Sequence, residues 1–203
     1  MFDESLLINE MYGYLPNTIF GFHGCDISTY KKVIFGNEPL LESNNKEDWL
    51  GKGIYFWENN YERAAEWAST HCKTEPAVIG AVINLGYCLN LLDSKYIAIL
   101  KDEYELLRFR FALQHKVMPV NKGGKDRLRR LLDRAVIEQL HESREDNGEY
   151  PFDSVRGAFW EGEPIYPTAG FKEQSHIQIC IRNPNCIKGY FIPRALDKKW
   201  NKV

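Results

Sequence analysis

Gly51-Lys52-Gly53-Ile54-Tyr55-Phe56-Trp57 is the stretch from which the rest of the chain is read. Two glycines flank a lysine, an apolar and aromatic run of strand length follows, and Asn59-Asn60 lead into Tyr61-Glu62-Arg63-Ala64-Ala65-Glu66-Trp67-Ala68. Either asparagine can accept from the free N–H groups of a helix start, so a helix is predicted from there to about Cys72, with Pro76 breaking it. Ala64, Ala65, Trp67 and Ala68 are small or apolar at helical spacing, which lets that helix lie close against a sheet. Upstream, Thr18 to His23 is a compact apolar run of strand length that leads into Gly24 and Cys25.

Working outward, Asp26-Ile27-Ser28 reads as a helix start, with Ser28 capping Thr29 to Ile34 and Gly36 ending the turn. Residues 4–12 read as a short helix or cap, and 37–49 as a polar loop. Ala77 to Ile83 has the β-branched density of a fully buried strand, and Gly86 to Leu92 reads as a second, short one. Apolar periodicity predicts helices from Ser94 to about Lys116 and from Asp126 to His141, the latter with Leu128, Leu131, Leu132, Ala135, Val136 and Leu140 inward. Its Arg127, Arg129, Arg130 and Arg134 form either a solvated face with pairs along the helix or a surface for an acidic or polynucleotide partner. Ser143 to Tyr150 is linker-like, Phe152 to Phe159 reads as a strand, and 164–174 as irregular. From Ser175 to Ile181 the alternation is strict: Ile177, Ile179 and Ile181 face one way, His176, Gln178 and Cys180 the other. Cys186 to Ile192 is the last strand. This pattern reads as an α+β fold, one domain over residues 1–203 with a helical insertion at about 94–145.

The composition excludes several classes. A net charge of -2 over 203 residues predicts no nucleic-acid or membrane partner from charge alone. No run of 18 apolar residues exists, so no membrane-spanning helix is expected. Met1 to Ser5 is acidic and lacks the basic n-region of a signal peptide, so residence in the cytoplasm is the expectation. The five cysteines (25, 72, 88, 180 and 186) are odd in number and form no C-x-x-C pair, which argues against a zinc site or a disulfide framework. Cys25, beside His23-Gly24, has no activating partner visible in the sequence.

The chemistry of the motifs is open at this level. Gly24 after His23, and Gly51-x-Gly53, each allow a tight turn or a close backbone approach by a ligand. His23 at a strand end can bond a hydroxyl, or serve structure alone. Tyr55 and Trp67 can clamp a flat ring between them, or be core aromatics. No third glycine follows at Rossmann spacing.

In combination these motifs resemble the ADP-ribosyltransferase superfamily, in the branch of the poly(ADP-ribose) polymerases and diphtheria toxin, which carries a His-Tyr-Glu triad on three elements. Phe22-His23-Gly24 resembles the first motif. Gly51-Lys52-Gly53-Ile54-Tyr55-Phe56 is similar to the second almost letter for letter, and the helix with Ala64 and Trp67 resembles the one that bears the second stacking aromatic. The resemblance spans roughly residues 18–70, with the strand at 77–83 in support. It implies a split antiparallel β-sheet core with flanking and inserted helices, NAD as co-substrate, and no metal. It also implies site roles: His23 on the adenosine-ribose 2′-hydroxyl, the Gly24 backbone on the nicotinamide amide, and Tyr55 and Trp67 around the nicotinamide ring. Gly53 and Tyr61 complete the implied NAD-binding set.

The third motif departs from the family pattern. Placed by Ile187-Lys188-Gly189-Tyr190-Phe191, the glutamate slot falls on His176, with Gln178 two residues on. A histidine can hold the ribose hydroxyl but carries no fixed negative charge. Glu173, Glu161 or Glu163 in the preceding loop is the alternative source of a carboxylate. Chain elongation is therefore disfavoured, and the resemblance implies a small bacterial-type mono-ADP-ribosyltransferase with a protein or nucleic-acid acceptor. A toxin or defence role, with an antitoxin as candidate partner, follows from the same resemblance. RNA 2′-phosphotransfer, NAD hydrolysis, and an inactive module that binds NAD, ADP-ribose or nucleic acid stay open as alternatives.

Overall fold

The computed structural model describes residues 18–123 and 129–200. The helix expected at 4–12 and the expected start of the second insertion helix, with Arg127 and Leu128, lie outside them. Seven strands and four α-helices make up the described residues, an α+β arrangement. The strands are β1 (Ile19–Asp26), β2 (Ile54–Glu58), β3 (Pro76–Ile83), β4 (Cys88–Asn90), β5 (Ser154–Phe159), β6 (His176–Ile181) and β7 (Ile187–Phe191). The helices are α1 (Ile27–Ile34), α2 (Tyr61–His71), α3 (Ser94–Leu113) and α4 (Leu131–Asp146). All seven strands join one sheet in the order β4-β5-β6-β2-β1-β3-β7. Every neighbouring pair is antiparallel except β4 and β5, which run parallel.

Directly paired residues share a face, so the register sorts the sheet. Tyr55 pairs Cys180, Trp57 pairs Gln178, Gln178 pairs Gly157, and Phe159 pairs His176. These residues occupy one face, and Ile54, Phe56, Ile179 and Ile181 the other. The second face packs with Cys25, Ile79, Ala81 and Ile83 under Val33 of α1. The first is covered in two places. Helix α2 brings Ala64 onto Trp57 and Val78, whereas α3 and α4 close Leu50, Leu89, Phe152, Val155, Phe159 and Cys180 with Tyr96, Ile137 and Leu140. Next to Trp57 on the same face stand Gln178 and His176.

Several boundaries differ from the sequence reading. Strand β1 does not turn at His23-Gly24. Its ladder to β3 continues from Ile19/Ile83 to Asp26/Pro76, so the helix after it begins at Ile27, with Asp26 rather than Ser28 in the cap position. Strand β2 begins at Ile54, because Gly51 to Gly53 form a loop whose only bridge joins Ser43 to Gly53. Asn60 is the asparagine that caps α2, accepting from Arg63 N at 3.0 Å. Helix α4 runs on through Ser143, where a linker is expected, because Ser143 Oγ donates to Glu103 at 2.6 Å and Arg110 reaches Gln139 and Glu142. Its buried set is Val136, Ile137, Leu140 and His141, while Leu131, Leu132 and Ala135 are half-buried. Cys186 sits in a single 3₁₀ turn before β7.

Candidate functional site

The site begins with two residues of β2 on one face. Tyr55 is half-buried, and its hydroxyl is fully engaged: it donates to Gly51 O at 2.6 Å and accepts from Leu50 N at 3.0 Å. Burial pushes the phenol pKa well above its usual value. Two residues on, Trp57 is 5% exposed and meets Trp67 of α2 with ring centroids 5.9 Å apart. Trp67 stacks on His71 at 4.7 Å and 4° and remains 37% exposed. The ring facing Trp67 is therefore Trp57, not Tyr55.

His176 enters from β6. Its ring lies 6.5 Å from that of Trp57 and 5.7 Å from that of Phe159, and the residue is 7% exposed. Its Nδ1 is 2.6 Å from Gln174 O, and a carbonyl only accepts, so Nδ1 carries the proton and Nε2 a lone pair. Burial lowers its pKa; the Gln174 carbonyl opposes this, and Arg63 and Arg130 lower it further. The imidazole is neutral at neutral pH.

Arg63 lies four residues before Trp67, on the same side of α2. Its Nη1 is held by Glu66 at 2.6 Å and its Nη2 by Glu161 at 3.4 Å. Among the described residues, Trp57 Nε1, Arg63 Nε and His176 Nε2 are buried without a hydrogen-bond partner. Buried polar groups are ordinarily paired, so these two donors and one acceptor are open hydrogen-bonding positions that ordered water or a ligand group can fill, as are Arg130 Nε, Arg134 Nε and His141 Nε2 elsewhere.

The remaining predicted residues lie as follows. Gln178 is half-buried, between Trp57 and Gly157 in register. Of the three loop carboxylates, Glu161 is buried beside Arg63, whereas Glu163 and Glu173 are exposed. Tyr61 is exposed, edge-on to Phe22 at 5.9 Å. His23 is on the opposite face, next to Phe56. It stands where the β1–β2 ladder stops after Gly21/Glu58 and Phe22/Trp57, and its Nδ1–H donates to Tyr55 O at 2.8 Å across the widening seam. Desolvation lowers its pKa.

Gly24 permits a close approach, but the group that approaches is the Ala64 carbonyl of α2. Gly53 sits against β6, where a Cβ would fall 2.5 Å from Cys180 Sγ and from Ile181 O. Burial raises the Cys25 pKa to about 11, so the group is a thiol at neutral pH. The arginines at and before the start of α4 contact the loop before β2 and its neighbourhood: Arg129 pairs Glu47 at 2.8 Å, Arg130 lies over Trp49, and Arg134, within the helix, donates to Asn44 at 2.6 Å.

The sequence reading missed Trp57, Arg63 and Phe159. Two of these were signalled. Trp57 shares the face of Tyr55 by the two-residue period of a strand, and Arg63 shares that of Trp67 by the i,i+4 spacing of a helix. Phe159 comes to His176 only through strand pairing.

Comparison with known proteins places a relative beside the whole chain. Uncharacterized protein MJ0359 of Methanocaldococcus jannaschii is 26% identical over 207 residues, covering 93% of this chain and 94% of that protein. No family model matches the chain, and no solved structure matches it.

Proposed function

We propose that the chain is an NAD-dependent mono-ADP-ribosyltransferase that cleaves the bond between nicotinamide and ribose and transfers ADP-ribose to a macromolecular acceptor. One observation carries the reading: His176 Nε2 and Trp57 Nε1 are buried with no hydrogen-bond partner among the described residues, near Arg63, which pairs Glu161, and near Trp67, whose ring lies against Trp57. A ribose hydroxyl can accept from the Trp57 N–H, which leaves the His176 lone pair for the O–H or N–H of the acceptor. A second hydroxyl, accepting from Arg63 Nε and donating to Glu161, would complete a sugar diol. The β1–β2 pairing is only two residue pairs long within one seven-stranded sheet, and in this reading it is the place where the sheet would split.

In this reading the nicotinamide ring stacks on Trp67. The C1′–N bond breaks, its electron pair leaves with nicotinamide, and the ribosyl carbon becomes oxocarbenium-like, as in glycoside cleavage. Glu161 supplies the negative charge that the third motif lacks. An acceptor O–H or N–H attacks C1′ and gives its proton to His176 Nε2, which is neutral and ready to receive it. Tyr55 holds the Gly51 loop, and His23 ties β1 to β2.

The test is nicotinamide release from NAD by purified protein, alone and with cell-extract protein, single-stranded DNA or RNA. Release that requires one acceptor, and that falls about 100-fold or more in His176→Ala, supports the reading. Glu161→Gln should slow turnover with little effect on the NAD dissociation constant. Release without acceptor would make the protein an NAD hydrolase. Release unchanged in both variants, or no NAD binding at all, would overturn the site.

A further inference from the structure

A cleft of about 730 Å³ opens between α3, α4 and the end of β5, next to the His176 site, with Phe159 as the shared wall. Trp49, Phe159, Trp160 and Tyr104 form an aromatic wall on one part of it, and the rest of the apolar lining is aliphatic, with Leu100 and Val136 among it. Trp160 is 54% exposed at the mouth. Three charged residues line it, Arg130, Lys101 and Asp133, leaving one net positive charge.

Arg130 is the unusual member. Its guanidinium lies 4.9 Å over the Trp49 ring and 5.2 Å over Phe159. Asp133 holds Nη1 at 3.6 Å, a long contact, and the buried Nε has no partner among the described residues. An aliphatic ligand would leave that N–H unpaired. A bare anion would leave the aromatic walls wet. A planar ring bearing an anionic group satisfies both, by stacking on the aromatic wall and accepting from the guanidinium.

We infer that this cleft binds a nucleotide, its base against the aromatic wall and its phosphate toward Arg130 and Lys101. Stacking on aromatic side chains with a nearby cation is how single nucleotide units are held, and the cleft volume falls within the range of small-molecule sites. The assignment of this nucleotide as acceptor rests on the transfer reading; its binding does not.

The experiment is a titration of the intact protein, without NAD, followed by tryptophan fluorescence, since Trp49 and Trp160 report on the cleft. The probes are the four ribonucleoside monophosphates, the matching uncharged nucleosides, and a short single-stranded oligonucleotide. Saturable quenching by a monophosphate is expected, weakened about 10-fold by Arg130→Gln and about threefold by Lys101→Glu, with nucleoside affinity little changed by either. Lys101 is exposed, so its variant keeps the test valid if Arg130→Gln fails to fold. Tighter binding of the oligonucleotide assigns the cleft to a strand, and equal binding to a free nucleotide. No saturable binding, nucleosides binding as tightly as nucleotides, or wild-type affinity in both variants would overturn the inference. Nucleotide binding that survives while nicotinamide release fails would sink the transferase and leave this cleft standing.

Discussion

Trp57 and Tyr55 sit two positions apart on one strand face, yet their polar atoms have opposite fates, and substitution separates them. The Tyr55 hydroxyl makes two hydrogen bonds, so Tyr55→Phe strands Leu50 N and leaves Gly51 O with the long 3.7 Å contact from Cys180 Sγ, with an expected cost of about 1–3 kcal/mol. The Trp57 Nε1–H makes none among the described residues. Trp57→Phe keeps an aromatic ring and deletes a donor without a described partner, so it should cost less than Tyr55→Phe and, on the transferase proposal, weaken NAD binding about 10-fold. Urea unfolding and calorimetric titration with NAD of both variants check this. A reversed order, with Tyr55→Phe weakening NAD while stability holds, would return the ring-clamping role to Tyr55. The sequence could not decide between the two residues. A two-residue period says that they share a face, but not that one hydroxyl folds back onto its own preceding loop.

Helix α4 shows what periodicity reads well and what it leaves out. Its apolar spacing announces a helix, and Val136 and Leu140 do face inward. Glu138, which looks like a solvent-side charge in the sequence, instead reaches the Gly51-Lys52-Gly53 loop. The Lys52 N–H donates to Glu138, and Arg182 after β6 bonds the same carboxylate at 3.2 and 3.4 Å. Burial pushes the Glu138 pKa up, but the Lys52 N–H and Arg182 outweigh it, so the net shift is downward. The helical insertion thus clamps the loop that Tyr55 holds from the other side. Glu138→Ala takes away the carboxylate partner of Arg182, which keeps only the Lys52 carbonyl at 3.2 Å among the described residues, and frees Lys52 N. Because the pair is about one-fifth exposed (side chains 18% and 23%), a loss of roughly 2–3 kcal/mol is expected, below the cost of breaking a fully buried pair. Glu138→Gln, which keeps an acceptor for the Lys52 N–H, should lose less. Equal melting of Glu138→Ala and the wild type would mean that the insertion is not a support for the loop. No spacing rule could have shown this contact, since 86 residues separate its two ends.

At the scale of the whole molecule, the alternation in β6 was legible because the sheet has a core on each face. Ile179 and Ile181 pack into one and Cys180 into the other. The strand order was not legible, because pairing of β6 with both β2 and β5 depends on register rather than on local pattern. The same two-sided burial sets the pH response. His23, His141 and His176 all have lowered pKa values, each chiefly through desolvation. His141, 1% exposed and bonded to Ile137 O at 2.8 Å, is lowered to about 4. In the unfolded chain a histidine takes up its proton near pH 6.5. Between that pH and the folded pKa the unfolded state holds more protons, so stability is complete above about 6.5 and falls as the pH drops. The shift at His141 alone corresponds to on the order of 3 kcal/mol lost between pH 6.5 and 4. The Glu138 carboxylate, also lowered, loses its contribution further down, as the pH falls from the ordinary glutamate value through its folded one. Urea midpoints measured at intervals from pH 7.5 to 4.5 should therefore decline from about pH 6.5, and His141→Leu should flatten that decline. A midpoint constant across this range would show that these imidazoles are solvated, and with them His176, whose neutral buried Nε2 the proposed transfer requires.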